Sequence, residues 1–366
     1  MSDYDEFLYE KVNSDATSNL FEIIIPDAAC NMKCKYCFGD HMQNVRNFCH
    51  SKLNEKALDI ALKDLDHSSS KVITLWGGEP LYNKDQLIEV VSYLKNRFPN
   101  AQLSMVVNGS LLNNFWTQFV IDNKISLGIS HDGPGQKYRG SDFLEQEEIK
   151  NNIVQLRKEH LFFSFNTIFH RLSPSIKDIH EYFFRKEDEL GVELGVAPRL
   201  IRYTNNLSEP YIFTSDDFHY LDENAKYIVN FYMKALLNND VTSVNKLLGG
   251  PLKHILTFTI ENLAGVPFIW NKNSPYCGTL NTFKITTNGD RVFCNGITET
   301  GDIERAKQLI TTYKSWENCE TCDANYVCRG LCSALTYDQL RKNCDMHKFF
   351  YLKIRDYVKF FMGNKG

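Results

Sequence analysis

Ten of the eleven cysteines in this chain fall into two ordered sets. Cys30, Cys34 and Cys37 form a C-x3-C-x2-C triplet near the N-terminus, and Cys277, Cys294, Cys319, Cys322, Cys328, Cys332 and Cys344 crowd the last quarter. Seven thiolates exceed the needs of one metal ion. Three are one short of a fully ligated iron–sulfur cube, and an iron left open is free to bind a further molecule. The start of the chain is acidic and lacks the basic and apolar regions of a signal peptide. We therefore expect a cytoplasmic, reducing setting, in which a disulfide framework is the weaker reading of the cysteines.

The chain has 366 residues, enough for one large domain and a smaller one, and 43% of them are hydrophobic, enough for a sizeable core. With a net charge of −4 and no basic cluster, there is no electrostatic footprint for nucleic acid. No apolar run is long enough to imply a membrane span. Apolar runs at 20–26, 71–76, 101–107, 125–130, 161–169 and 192–198 read as six strands, separated by helical patterns such as 54–65 and 85–98. Strand–helix alternation at this spacing predicts parallel βαβ units. Six units are too few to close an eightfold barrel, so an α/β partial (β/α)6 barrel is expected, with its chemistry at the C-terminal strand ends. Helices are expected at 214–239, N-capped by Ser215, and at 245–263, interrupted by Gly249, Gly250 and Pro251. Beyond 271, turns and cysteines dominate, with one hairpin at 282–296 turning at Asn288-Gly289. A final amphipathic helix is expected over 345–362.

Taken alone, the triplet also admits a zinc site completed by His41 or His50, and 319–332 admits a zinc ribbon. What speaks for a cube is that polar motifs recur at successive strand ends. CNMKCKYC, with Tyr36 before the last cysteine, follows the first strand; Gly77-Gly78-Glu79-Pro80 follows the second; Asn108-Gly109 the third; and Ser130-His131-Asp132-Gly133-Pro134 the fourth. In this order they resemble the radical S-adenosylmethionine (radical SAM) superfamily. The downstream pattern, with Cys319-x2-Cys322-x5-Cys328-x3-Cys332 at its centre, is similar to the SPASM domain with its two auxiliary [4Fe–4S] clusters. The resemblance spans about residues 20–344.

It implies three [4Fe–4S] clusters and SAM as cofactors. Cys30, Cys34 and Cys37 would hold the SAM cluster. Gly77, Gly78, Glu79 and Pro80 would meet the SAM amino group, Tyr36 would lie near the adenine, and Asn108, Ser130 and Asp132 would help hold SAM. Arg139 is a candidate partner for the SAM carboxylate, an exposed surface arginine being the other reading. Cys319, Cys322, Cys328 and Cys344 would close the outer auxiliary cluster. Cys277, Cys294 and Cys332 would hold the inner one, and its fourth position is open to a substrate, to Cys49 or to a ligand such as Asp290. Taken alone, Cys49 reads as a buried, inert thiol. Glu193, Arg199 and Arg202 lie at or after the sixth strand and are candidates to line a substrate cavity, solvated charge being the favoured reading.

The implied organisation is a tail (1–19), a radical SAM partial barrel (20–204), a helical bridge (205–270), a SPASM domain (271–350) and a C-terminal helix (351–366). The implied activity is one-electron cleavage of SAM to a 5′-deoxyadenosyl radical. The electron would come from a flavodoxin or ferredoxin-type reductant, and the radical would take hydrogen from a ribosomally made peptide. Thioether or carbon–carbon crosslinking is the leading outcome, with formylglycine formation or epimerisation as alternatives. Sulfatase-maturing relatives carry an Asp base directly after the cysteine equivalent to Cys294; here that position is Asn295, which cannot take up a proton. With so short a segment before the first strand, leader recognition is expected to use the body or a separate leader-binding protein, or there is no leader at all. A non-enzymatic electron carrier is the reading from another class, and the open triplet with its strand-end motifs argues against it.

Overall fold

The computed structural model describes residues 20–24, 30–37, 53–63, 72–203, 206–266, 283–289, 322–328 and 337–363. Its centre is a parallel sheet in the order β6-β5-β4-β3-β2-β1-β7. The strands are β1 (Leu20–Ile24), β2 (Val72–Trp76), β3 (Gln102–Val107), β4 (Ser126–Ser130), β5 (Phe163–Phe169), β6 (Val196–Leu200) and β7 (Phe283–Thr286). Between them lie α1 (Glu55–Ala61), α2 (Lys84–Arg97), α3 (Asn114–Asp122), α4 (Glu147–Lys158) and α5 (Ile176–Leu190). Neighbours in sequence are neighbours in space from β1 to β6, as right-handed βαβ units require. Short polar caps start the helices just past the strand ends: the side chain of Asn113 accepts the Trp116 N–H, and that of Ser175 the Asp178 N–H.

Burial alternates strictly along β5, and residues on one face of the sheet (Leu75, Met105, Ile129, Phe165) are fully buried under the helices. The other face carries Thr74, Ser104, Gly128 and Asn166, all half-buried. Thr74 and Ser104 share a hydroxyl hydrogen bond of 2.7 Å across β2 and β3. Polar and small residues thus line the concave side of a partial barrel, which no helix among the described residues fills.

Two elements differ from expectation. β6 lies at Val196–Leu200, not 192–198, because α5 ends on left-handed Gly191 and a short link to Gly195 precedes the strand. Glu193 therefore lies at the N-terminal end of β6, away from the mouth, while Arg199 is in the strand. Pro198 is tolerated because β6 pairs only with β5. A seventh strand, β7, runs parallel to β1. It is the first strand of the expected hairpin, so the cysteine-rich region adds a strand to the barrel sheet. Gly289 (φ +81°) turns the chain there; a Cβ would come within 2.6 Å of Ala57 O.

The helices α6 (Phe218–Leu237) and α7 (Val241–Leu263) follow β6. A single 3-10 turn, Ser215–Asp217, precedes α6, and its cap is Thr214 instead of Ser215. The Thr214 N–H and hydroxyl both donate to the Asp217 carboxylate, at 3.0 and 2.6 Å. The expected interruption of α7 falls at Gly249 (φ +56°), whose Cα faces Ala197 of β6 so closely that a Cβ would meet it at 2.5 Å. This contact lays α7 over the sheet edge. The C-terminal helix α9 (Tyr337–Gly363) starts earlier than expected, and Asn343 anchors it by exchanging two hydrogen bonds with the Tyr203 backbone. The short α8 (Asn325–Cys328) precedes it. Among the described residues, no helix is long and apolar enough to cross a membrane.

His180 ties three helices together. Its Nε2–H donates to Leu247 O (2.8 Å) and its Nδ1 lies 3.0 Å from the Tyr227 hydroxyl. Burial lowers its pKa to about 4. Between that value and the unfolded 6.5 the unfolded chain binds the extra proton, so stability falls as pH drops through this window. Urea denaturation should show the wild type losing roughly 2 kcal/mol more than His180→Gln between about pH 7.5 and about pH 5. Equal losses would remove His180 as the cause.

Candidate functional site: a three-thiol loop at the mouth of the sheet

The loop after β1 closes on itself and on its neighbours. Met32 N–H points at Cys30 Sγ (3.4 Å), and Cys37 N–H bonds Cys34 O (3.2 Å). Lys35 N–H donates to Tyr138 O at 2.9 Å, joining this loop to the one after β4. Asn31 and Asn108 join it to the loop after β3. The Asn108 amide donates to Asn31 Oδ1 (2.8 Å) and lies 3.7 Å from Cys30 Sγ, while its carbonyl accepts from the Ser110 N–H and hydroxyl. Asn31 in turn donates to Ser110 Oγ at 2.8 Å. Gly109 (φ +80°) is required beside it, because a Cβ would strike the Phe143 ring at 2.6 Å.

Glu79 completes the junction. It is 2% exposed; one oxygen accepts the Leu81 N–H (3.1 Å) and the other the Asn108 N–H (2.5 Å). Burial raises its pKa to about 7, against the pull of those two N–H groups and Arg139. Pro80 is buried beside it, and Gly77 and Gly78 form the half-buried bend that brings Glu79 inward.

After β4, Ser130 ends the strand on the concave side. His131 and Asp132 turn inward and are fully buried. His131 Nδ1 accepts the Gly133 N–H (3.0 Å), leaving its Nε2–H for Asp142 (2.8 Å), which also accepts from the Tyr182 hydroxyl (2.6 Å). Burial lowers the His131 pKa, so this ring is neutral and fixed in one tautomer. Asp132 Oδ1 accepts the Ile168 N–H (2.7 Å), and its Oδ2 lies 3.6 Å from Arg139 Nη1. Arg139 is buried, which removes the exposed-surface reading.

Tyr36 is 8% exposed and packs in an aromatic group with Tyr138, His170 and Tyr211, at centroid distances of 5.1 to 5.6 Å. His170 Nδ1 accepts the Leu172 N–H, so its proton sits on Nε2; burial and Lys137 lower its pKa to about 4. Tyr36 Oη, His170 Nε2, Arg139 Nε and Asp132 Oδ2 are buried without a hydrogen-bond partner.

These features fit an iron–sulfur cluster with a polar ligand beside it. Burial pushes the Cys34 thiol up to about 11, and Cys37 and Cys30 raise it further against Arg139. Crowded thiols of this kind ionise readily only on a metal. Among the described residues no three His, Cys, Asp or Glu converge on one ion position; a cube instead takes one sulfur on each of three irons. The four unpartnered polar atoms are the groups that a bound polar cofactor would satisfy.

Of the downstream cysteines, Cys322 precedes α8 and Cys328 ends it, both packing on the core, and Cys344 lies inside α9, which α8 contacts. Cys49, Cys277, Cys294, Cys319, Cys332 and Asp290 lie outside the described residues, as do His41 and His50. The sequence reading passed over Asn31, Ser110, His131, Asp142, His170 and Tyr211. Only Asn31 and His131 had a visible signal, each lying inside a recognised motif.

A three-thiol loop held by polar contacts at the C-terminal mouth of a parallel sheet fits an iron–sulfur cluster carried on a partial barrel. The comparisons agree. The profile of a 4Fe-4S single cluster domain matches residues 25–132. The radical SAM cyclopropyl synthase TigE of Paramaledivibacter caminithermalis is 23% identical, covering 90% of this chain and 71% of that protein. A cysteine-type anaerobic sulfatase-maturating enzyme of Clostridium perfringens is 29% identical over 116 residues, which span only 31% of its own length. The solved structure of anSMEcpe with bound AdoMet and Cp18Cys peptide superposes with a TM-score of 0.65 at 17% identity, covering 95% of this chain and 99% of that one. At that identity the likeness concerns the fold. Together these likenesses support a radical SAM enzyme of the SPASM type, related to peptide-modifying and sulfatase-maturating enzymes.

Glu79→Gln should break the junction, because an amide offers one acceptor where two N–H groups need one each. We expect a loss of about 1–3 kcal/mol in denaturation together with lower iron content after anaerobic reconstitution. Unchanged iron loading would show that the loop after β1 holds without Glu79.

Proposed function

We propose that this enzyme binds three [4Fe–4S] clusters and SAM, and abstracts hydrogen from a ribosomally synthesised peptide to form a thioether or carbon–carbon crosslink. When bound at Cys30, Cys34 and Cys37, cluster and SAM together supply a one-electron route to a carbon radical. The observation that carries this reading is the convergence of the thiol loop, Glu79, Asn108 and the Asp132 loop at one end of the sheet. In this reading the Gly77–Pro80 bend and Asn108 take the polar end of SAM, with Ser130 and Asp132 beside them. Tyr36 and His170 face its adenosyl part, offering a hydroxyl and a ring N–H with no other partner. The half-buried concave face admits the peptide. Gly128 keeps it open, since a Cβ there would come within 2.6 Å of Asn166 Nδ2. Water must be excluded from this mouth to protect a radical, and the aromatic group around Tyr36 walls one side.

Crosslinking is favoured over formylglycine formation by two observations. Making a cyclopropyl ring requires a new carbon–carbon bond, and the cyclopropyl synthase aligns along 90% of this chain. Asn295 also stands where the sulfatase-maturing relatives place a base. The auxiliary clusters would use Cys319, Cys322, Cys328 and Cys344, and Cys277, Cys294 and Cys332. A flavodoxin or ferredoxin-type donor would supply the electron, and the precursor peptide, alone or with a leader-binding protein, would be the partner.

Anaerobically reconstituted protein should hold about twelve irons per chain and convert SAM to 5′-deoxyadenosine under dithionite. Substituting Cys30, Cys34 and Cys37 together should abolish that conversion and remove about four irons. A short peptide encoded beside this chain should lose two hydrogens in mass when incubated with enzyme and SAM. An unchanged mass with SAM consumed would favour epimerisation, and total iron near four per chain would sink the auxiliary clusters.

A further inference from the structure

Arg139 and Asp132 form a buried ion pair that is only half-satisfied, directly against the thiol loop. Asp132 is fully buried and the Arg139 side chain is 14% exposed, yet the closest approach, Nη1 to Oδ2, is 3.6 Å, outside hydrogen-bond range. Arg139 Nε and Asp132 Oδ2 have no hydrogen-bond partner. The position of the pair is set from both sides. Asp132 Oδ1 is held by the Ile168 N–H of β5, at 2.7 Å. Tyr138, next to Arg139, accepts the N–H of Lys35, next to Cys34. On the other side of Arg139, Gly140 lies so close to Met32 that a Cβ would sit 3.2 Å from its Cε. The guanidinium charge acts on Cys34 and Cys37, and the Asp132 charge acts on Cys34 in the opposite sense. The other buried charge in reach is Glu79, which also acts on Arg139.

A cluster on three thiolates gains a further negative charge when it takes an electron, and charge nearby sets how readily it does so. In a buried site such charges are poorly screened. We infer that Asp132 and Arg139 are positioning residues that set the reduction potential of the SAM cluster: Arg139 favours the reduced form, and Asp132 partly cancels Arg139 and keeps the cluster strongly reducing. The inference rests on Cys30, Cys34 and Cys37 holding that cluster. A contact between Arg139 and the SAM carboxylate would by itself assign neither Asp132 nor the SAM-free potential any role.

The test is an EPR-monitored potentiometric titration of the reconstituted holoenzyme without SAM, in which the relevant signal is the one that changes when SAM is added afterwards. Asp132→Asn keeps the oxygen that Ile168 needs but loses the charge. It should ease reduction about tenfold, an upward shift of about 59 mV. Arg139→Gln should shift the potential downward, and Arg139→Lys should stay near the wild type. If Arg139→Gln fails to load iron, an upward shift in Asp132→Asn with Arg139→Lys unmoved still upholds the inference. Potentials that match the wild type in Asp132→Asn, or that move the same way in both charge-removing variants, overturn it. Weakened SAM binding in Arg139→Gln at an unchanged potential also overturns it and leaves the radical SAM reading standing. A wild-type protein with no SAM-responsive signal sinks both.

Discussion

The mouth of this sheet depends on one buried carboxylate. Parallel strands end side by side, but nothing in the ladder joins the loops that leave them. Glu79 makes that joint by accepting the N–H of Leu81 in its own loop and the N–H of Asn108 at the end of β3. Asn108, held in place, reaches Asn31 and Cys30 with its amide. Three successive strand ends are thereby locked through one side chain. Burying a carboxylate is costly unless hydrogen bonds to its charged form offset the loss of water. The opposing effects on Glu79, burial against two N–H donors, leave it titrating near neutrality instead of in the usual carboxylate range.

The rest of the fold supplies the rigidity this joint needs. Helices cover one face of the sheet and leave the other to a polar, half-buried lumen. The open edge beyond β6 is covered by α7, which approaches within reach only because position 249 lacks a side chain. At the other end, β7 adds to β1, the strand that feeds the thiol loop. The cysteine-rich C-terminal region is thus attached to the sheet at β1, so the strand that leads into the three-thiol loop is braced by the region expected to carry the auxiliary clusters.

Periodicity revealed most of this architecture. β2 to β5 fall within a residue or two of their apolar runs, because buried strands with alternating faces leave a clear pattern. β6 slipped because 192–195 is apolar enough to read as strand, whereas Gly191 and Gly195 mark a link. β7 was readable as half of a hairpin but not as a barrel strand, since pairing between residues 21 and 283 leaves no local trace. In the site, cysteines and glycine-rich turns announced themselves by spacing. His170 and Tyr211 did not: they meet Tyr36 only through tertiary packing, and an isolated His or Tyr carries no spacing signal. The burial of Arg139 was invisible for the same reason.

The unpartnered groups at the mouth have an energetic consequence. Tyr36 Oη, His170 Nε2 and Arg139 Nε are each buried without a hydrogen-bond partner, and Asp132 Oδ2 has only its ion pair with Arg139; each buried group left without a hydrogen bond costs about 1–3 kcal/mol. Together that is comparable to the whole stability of a typical domain, about 5–15 kcal/mol. A chain optimised for folding alone would have replaced these groups with apolar ones or paired them locally. These four atoms gather on loops around one point, the mouth of the barrel. Whatever binds there and satisfies them stabilises the folded chain through the same contacts that orient it. Cofactor loading and folding are therefore coupled at this end of the sheet.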